Sequence, residues 1–81
     1  MEYKIILVLT QKPEKYDVKI SVYDEAGKLI SEKEYENIKQ IVVKNSEVLI
    51  SAQLAPTPTV ITILTEKPEI NYRHNRLIIG E

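Results

Sequence analysis

Between residues 16 and 24 the chain alternates strictly: Tyr16, Val18, Ile20 and Val22 are interleaved with Asp17, Lys19, Ser21 and Tyr23. A period of two puts the two sets on opposite sides of an extended backbone, so the segment predicts a strand with one face in a core and one in water. Asp24 suits the start of a type I turn, and Gly27 suits the left-handed position that closes a hairpin with a bulge. Leu29 to Tyr35 is then the return strand. Elsewhere β-branched Ile, Val and Thr recur in every apolar run, and no window sustains the i, i+3, i+4 spacing of an amphipathic helix. Residues 3–10, 41–44, 48–54, 59–65 and 77–79 supply the remaining strands, with Asn45-Ser46 as a further turn signal. Glu34 to Gln40 is the one place where a short helical turn fits, because its residues are mostly good helix formers.

About seven short strands in a single 81-residue domain (1–81) make an all-β chain. Their regular turn signals favour a small antiparallel β-sandwich of two sheets, of the immunoglobulin or fibronectin type III kind, over a small closed β-barrel. The paired cysteines and tryptophan of antibody domains are missing from it.

Several of the other strands break the alternation. Ile5, Leu7 and Leu9 fill one face of the first strand, which leaves Ile6 and Val8 on the other. The same two-sided pattern occurs in Ile41-Val42-Val43, Val48-Leu49-Ile50, Val60-Ile61 with Ile63-Leu64, and Leu77-Ile78-Ile79. A sheet with one wet face needs polar residues on that face. A leftover apolar face is therefore expected, and Ile6, Val8, Leu49, Val60 and Leu64 are the residues expected to cover it by self-association or against a protein partner. The competing expectation is a sheet that curls on itself, or a loop such as 55–59 folding over the second face.

One phrase is written twice, LTQKPE at 9–14 and LTEKPE at 64–69. Each copy ends an apolar run in Leu-Thr and brings in a proline, whose fixed φ and missing N–H suit the end of a ladder. Beyond Glu14 and Glu69 the similarity stops, so the pair is read as one turn chemistry used twice and not as a repeat array. The two turns are expected at opposite ends of the molecule, where Glu14 and Glu69 have no means of acting together as acid and base.

Composition narrows the chemistry. Eleven basic residues against twelve acidic ones give a formal charge of −1, with no basic run to attract nucleic acid or an anionic membrane. There is no cysteine and a single histidine, His74, so no motif spacing for a metal site exists, and two glycines leave no phosphate-cradling loop. No catalytic constellation, metal site or cofactor is expected. What stands out is residues 71–76, Asn-Tyr-Arg-His-Asn-Arg, which carry both arginines and the only histidine beside a tyrosine. Tyr72, Arg73, His74 and Arg76 are the side chains that anchor interfaces and stack on bases, so a recognition loop is expected there. Residues 48–65 contain no charged side chain; Ala55 to Pro58 reads as a crossover stiffened by prolines, with contact to a partner as the alternative that its neutrality suggests. The expected function is a non-enzymatic protein-interaction or structural subunit that forms a homo-oligomer. A small β-protein binding nucleic acid through 71–76 is the alternative. The N-terminal apolar run of five residues, Ile5 to Leu9, is neither a signal peptide nor a membrane span, which makes a cytoplasmic or intravirion location the expectation. The wealth of Ile, Lys and Glu without cysteine is the bias of thermophile proteins.

Overall fold

In the computed structural model the described residues are 1–51 and 59–80, and they hold eight strands and no helix. The strands are β1 (Tyr3–Lys12), β2 (Lys15–Tyr23), β3 (Leu29–Ile38), β4 (Gln40–Val43), β5 (Glu47–Ser51), β6 (Thr59–Thr65), β7 (Ile70–Arg73) and β8 (Arg76–Ile79). They form two open sheets, a five-stranded one in the order β3-β2-β1-β6-β5 and a three-stranded one in the order β4-β8-β7. Neither sheet closes on itself, so the barrel alternative is set aside. The larger sheet is antiparallel throughout, whereas in the smaller one β4 runs parallel to β8. The about seven strands expected from the sequence are eight among the described residues, and the wholly antiparallel arrangement expected is corrected at the β4–β8 pair.

The hairpin read from the alternation forms with the expected chemistry. The Asp24 carboxylate accepts from the Ala26 and Lys28 N–H groups at 2.9 and 2.8 Å, and Gly27, at φ +86°, donates to the Asp24 carbonyl. By contrast, Glu34 to Gln40 is not helical. Tyr35 pairs with Val18 and Ile38 with Tyr16, so β3 continues to Ile38 past a bulge at which Asn37 takes φ +58°. Helix propensity there is outweighed by complete burial of the Ile38 side chain, a tertiary gain that local preference does not contain.

The core is a single cluster to which both sheets contribute. Ile5, Leu7 and Leu9 of β1 face Val22, Ile20 and Val18 of β2 in register, and Ile63 of β6 lies opposite Ile5 on the other side. Leu77 and Ile79 of β8, both fully buried, close the cluster from the smaller sheet, with Ile41, Val43 and Ile70 packed beside them. The buried Thr65 meets its hydroxyl's needs locally: Oγ1 accepts from Lys67 N–H at 2.9 Å and donates to the Lys67 carbonyl at 3.1 Å.

The repeated phrase does two different jobs. In the first copy β1 runs on to Lys12, and Pro13 with Glu14, the latter at φ +64°, makes a two-residue turn into β2. In the second copy β6 stops at Thr65 and residues 66–69 carry the chain across to the smaller sheet. Since Thr65 pairs with Tyr3 at the start of β1, the two copies lie at opposite ends of the larger sheet, and Glu14 and Glu69 do not converge.

Near the first turn, Lys12 Nζ sits 2.8 Å from Asp17 Oδ2, and Asp17 also accepts from the Asn37 N–H at the β3 bulge. The lysine ammonium holds the Asp17 carboxyl below its usual range, and the carboxylate in turn raises Lys12. A carboxyl depressed on folding contributes stability that is present above its unfolded pKa, near 3.8, and is lost as pH falls through the lower folded value. Acid denaturation of Asp17→Asn is therefore expected to show a shallower loss of stability below about pH 4 than the parent. Because the pair is solvated, the difference should shrink in high salt. Identical acid limbs for the two proteins, followed by circular dichroism, would refute the coupling.

Candidate functional site

Two surfaces gather the residues singled out in the sequence. The first is the outward side of the larger sheet. Three rows cross it in register: Leu29, Tyr23, Lys4 and Leu64; then Glu32, Ser21, Ile6 and Thr62; then Glu34, Lys19, Val8 and Val60. Ile6 and Val8 on the central strand and Val60 and Leu64 on its neighbour are each half-buried. Leu29 is 45% exposed and extends the apolar strip toward the β3 edge. Leu49 pairs with Thr62 by backbone register, but its side chain lies outside the described part of the structure.

Charge frames this strip on one flank. Lys19 Nζ and Glu32 Oε1 are 3.0 Å apart, and that contact with the nearby Glu34 raises the lysine's pKa above its ordinary value. Edge strand β3 carries Glu32, Lys33, Glu34 and Glu36 together with two register shifts, the features that keep an exposed edge from pairing with a foreign strand. A hollow lined by Lys4, Ile6, Tyr23, Asp24, Glu25 and Gly27 opens beside the strip.

The second surface is the β7–β8 hairpin, where the sequence predicted a recognition loop. The segment is strand on both sides of a two-residue turn, and this corrects the loop assignment: His74 and Asn75 alone form the turn, at φ +52° and +59°. Two positive φ values are the signature of a type I′ turn, whose twist matches that of the strands it joins. The Tyr72 hydroxyl donates to Asn75 Oδ1 at 3.0 Å, and the Asn75 carbonyl accepts from Lys39 N–H at 2.8 Å.

Strand geometry divides the four expected contact residues. Tyr72 stacks on Tyr35 of the larger sheet, with centroids 5.2 Å apart and planes 19° from parallel, so its ring bridges the two sheets while remaining 47% exposed. Arg73 and Arg76 are direct cross-strand partners and project from the opposite, outward face, with His74 exposed at the tip. The tyrosine and the arginines thus do not form one cluster. Sequence reasoning missed two neighbours of this hairpin. Tyr35 gave no signal beyond its aromatic character, and Gln40 lies beside Arg76 only because β4 and β8 pair in parallel.

Among the described residues no group of three or more His, Asp or Glu side chains is arranged to hold a metal ion, and no helix is long and apolar enough to cross a membrane. The crossover at Ala55 to Pro58, with its alternative of contact to a partner, lies outside the described residues. Comparison with protein-family models, with curated proteins and with solved structures finds no match for the chain.

Proposed function

We propose that the chain is a β-sandwich interaction module, of the broad immunoglobulin or fibronectin type III kind in architecture, that associates with a second copy through the outward face of its larger sheet. A single core fed by both sheets supports the sandwich reading, and the parallel β4–β8 pair is a departure from the antiparallel members of that kind. The observation that carries the functional reading is the placement of Ile6, Val8, Val60 and Leu64 on two paired strands, central β1 and its neighbour β6, on the side away from the core, with Val8 directly opposite Val60. Polar residues on that face are what an unpartnered sheet requires. The adjacent β3 edge is guarded by charge, so association across the face is favoured over edge-to-edge pairing there.

Magnitudes set the strength of this contact. Complete burial of an exposed aliphatic side chain contributes about 1.5–3 kcal/mol, and half-buried ones retain about half of that, so the four from each copy together offer about 6–12 kcal/mol. Lost translational and rotational freedom costs at least about 4 kcal/mol. The surplus of about 2–8 kcal/mol brackets an expected dissociation constant of tens to hundreds of micromolar.

Sedimentation equilibrium from about 10 µM to 1 mM is expected to show a reversible monomer–dimer transition in that range. Ile6→Lys places a charge at the middle of the strip and should abolish dimerisation with the circular dichroism spectrum unchanged. A parent protein that stays monomeric at about 1 mM would overturn the reading. So would an Ile6→Lys protein that is folded and still dimeric.

A further inference from the structure

The outward face of the smaller sheet differs from the rest of the molecule in charge. The chain has nine lysines and only two arginines, and both arginines stand here, directly opposite each other across β7 and β8. No Asp or Glu occurs in β4, β7 or β8, and the ion pairs among the described residues, Lys12–Asp17 and Lys19–Glu32, both belong to the larger sheet. Like charges placed directly across a ladder are destabilising, and among the described residues no carboxylate within the strands of this sheet offsets the pair. Arginine's planar fork, unlike a lysine ammonium, suits two-point recognition of a carboxylate.

The register supplies a second component. Gln40, Arg76 and Arg73 form one row across the face, and Val42, Ile78 and Asn71 form the next, two residues further along the strands. Leu77, Ile79, Ile41 and Val43 face the core, so Val42 and Ile78 point outward with the arginines, and both are half-buried. Successive rows on one side of a sheet are about 7 Å apart, the same spacing as residues i and i+2 of an extended peptide. We infer that this face binds an extended acidic peptide segment of a partner protein, one whose carboxylate meets Arg73 and Arg76 while an aliphatic side chain two residues away covers Val42 and Ile78. The Gln40 amide can donate a further hydrogen bond to the same carboxylate row.

This inference goes beyond the proposed self-association and uses a different sheet, so the two stand or fall separately. The test is fluorescence anisotropy with the labelled heptapeptide Ser-Thr-Glu-Thr-Val-Thr-Ser, its Glu-to-Gln counterpart, and a ten-nucleotide thymidine strand. Loss of a charge-assisted contact is expected to weaken the Gln peptide about ten-fold or more. An Arg73→Gln/Arg76→Gln double variant should lose the same factor for the Glu peptide, while Lys28→Gln, which removes an exposed charge from the β2–β3 turn, leaves that binding unchanged. Relief of the opposed charges should also raise the double variant's melting temperature by about 1–5 °C. Four results would overturn the inference: no binding of the Glu peptide at about 5 mM, equal binding of the Glu and Gln peptides, undiminished binding to the double variant, or a melting temperature that falls on removing the arginines. Tighter, arginine-dependent binding of the thymidine strand would also overturn it, in favour of a nucleic-acid surface.

Discussion

Leu7→Ala is expected to lower the stability of the protein by about 3 kcal/mol and its melting temperature by about 10–25 °C. Leu7 is completely buried at the middle of the central strand, opposite Ile20 on one side and Ile61 on the other. Truncation removes the transfer free energy of three carbons and leaves a cavity that neighbouring strands, held by ladders on both sides, cannot close. A domain of this size has a total stability of roughly 4–12 kcal/mol, so the variant should be partly unfolded near physiological temperature. The comparison is with Val8→Ala, one residue along on the half-buried outward face, where a loss of about 1 kcal/mol or less is expected. Thermal melts of the two variants decide it, since equal losses would mean that the inward and outward faces of β1 have been assigned wrongly.

Gly80→Ala should be nearly as damaging for a wholly different reason. Gly80 is buried at φ +81°, and its N–H donates to the Glu69 carbonyl at 2.9 Å. A methyl group there would collide with the Lys44 carbonyl and come within 2.8 Å of Ser46 Oγ. The carbonyl has little freedom to retreat, because the Lys44 N–H is itself bonded to the Ile79 carbonyl at 2.8 Å. Left-handed strain of about 1–2 kcal/mol and an overpacking cost of about 1–3 kcal/mol add to an expected loss of about 2–5 kcal/mol. Gly27 has nearly the same backbone angle, φ +86°, but open space around it, so Gly27→Ala should show the strain alone, about 1–2 kcal/mol. Urea titrations of both variants separate the two causes. Equal losses at the two sites would remove the close approach of the chain end to the β4–β5 turn as a source of stability.

That close approach illustrates which features of this protein are local. Gly80 sits one residue from the end of the chain, and nothing in its neighbours Ile79 and Glu81 distinguishes it from a solvated terminal glycine. Its constraint comes from Lys44 and Ser46, more than thirty positions away, whereas the Asp24–Gly27 turn could be read from five consecutive residues. Strand character and turn position belong to short segments, because they follow from φ preference and side-chain alternation. For this reason β2, β6 and the β2–β3 hairpin emerge from the pattern almost residue for residue.

Partnership does not belong to short segments. The all-β class and the two-sided apolar strands follow from composition and order alone, and so does the prominence of residues 71–76. Whether Val8 lies beside Val60, or Gln40 beside Arg76, depends on which strands become neighbours. That is decided by the joint burial of Ile38, Leu77, Ile79 and the β1–β2 side chains in one cluster. The parallel β4–β8 pairing joins segments more than thirty residues apart, and no local signal marks it. Pairing of β3 with β2 and burial of Ile38 overrode the helical preference after Glu34, and the antiparallel β7–β8 ladder turned an expected loop into a hairpin with its tyrosine on one face and its arginines on the other. A ladder's register puts successive side chains on opposite sides, and only the assembled sheets establish which of those sides meets the core.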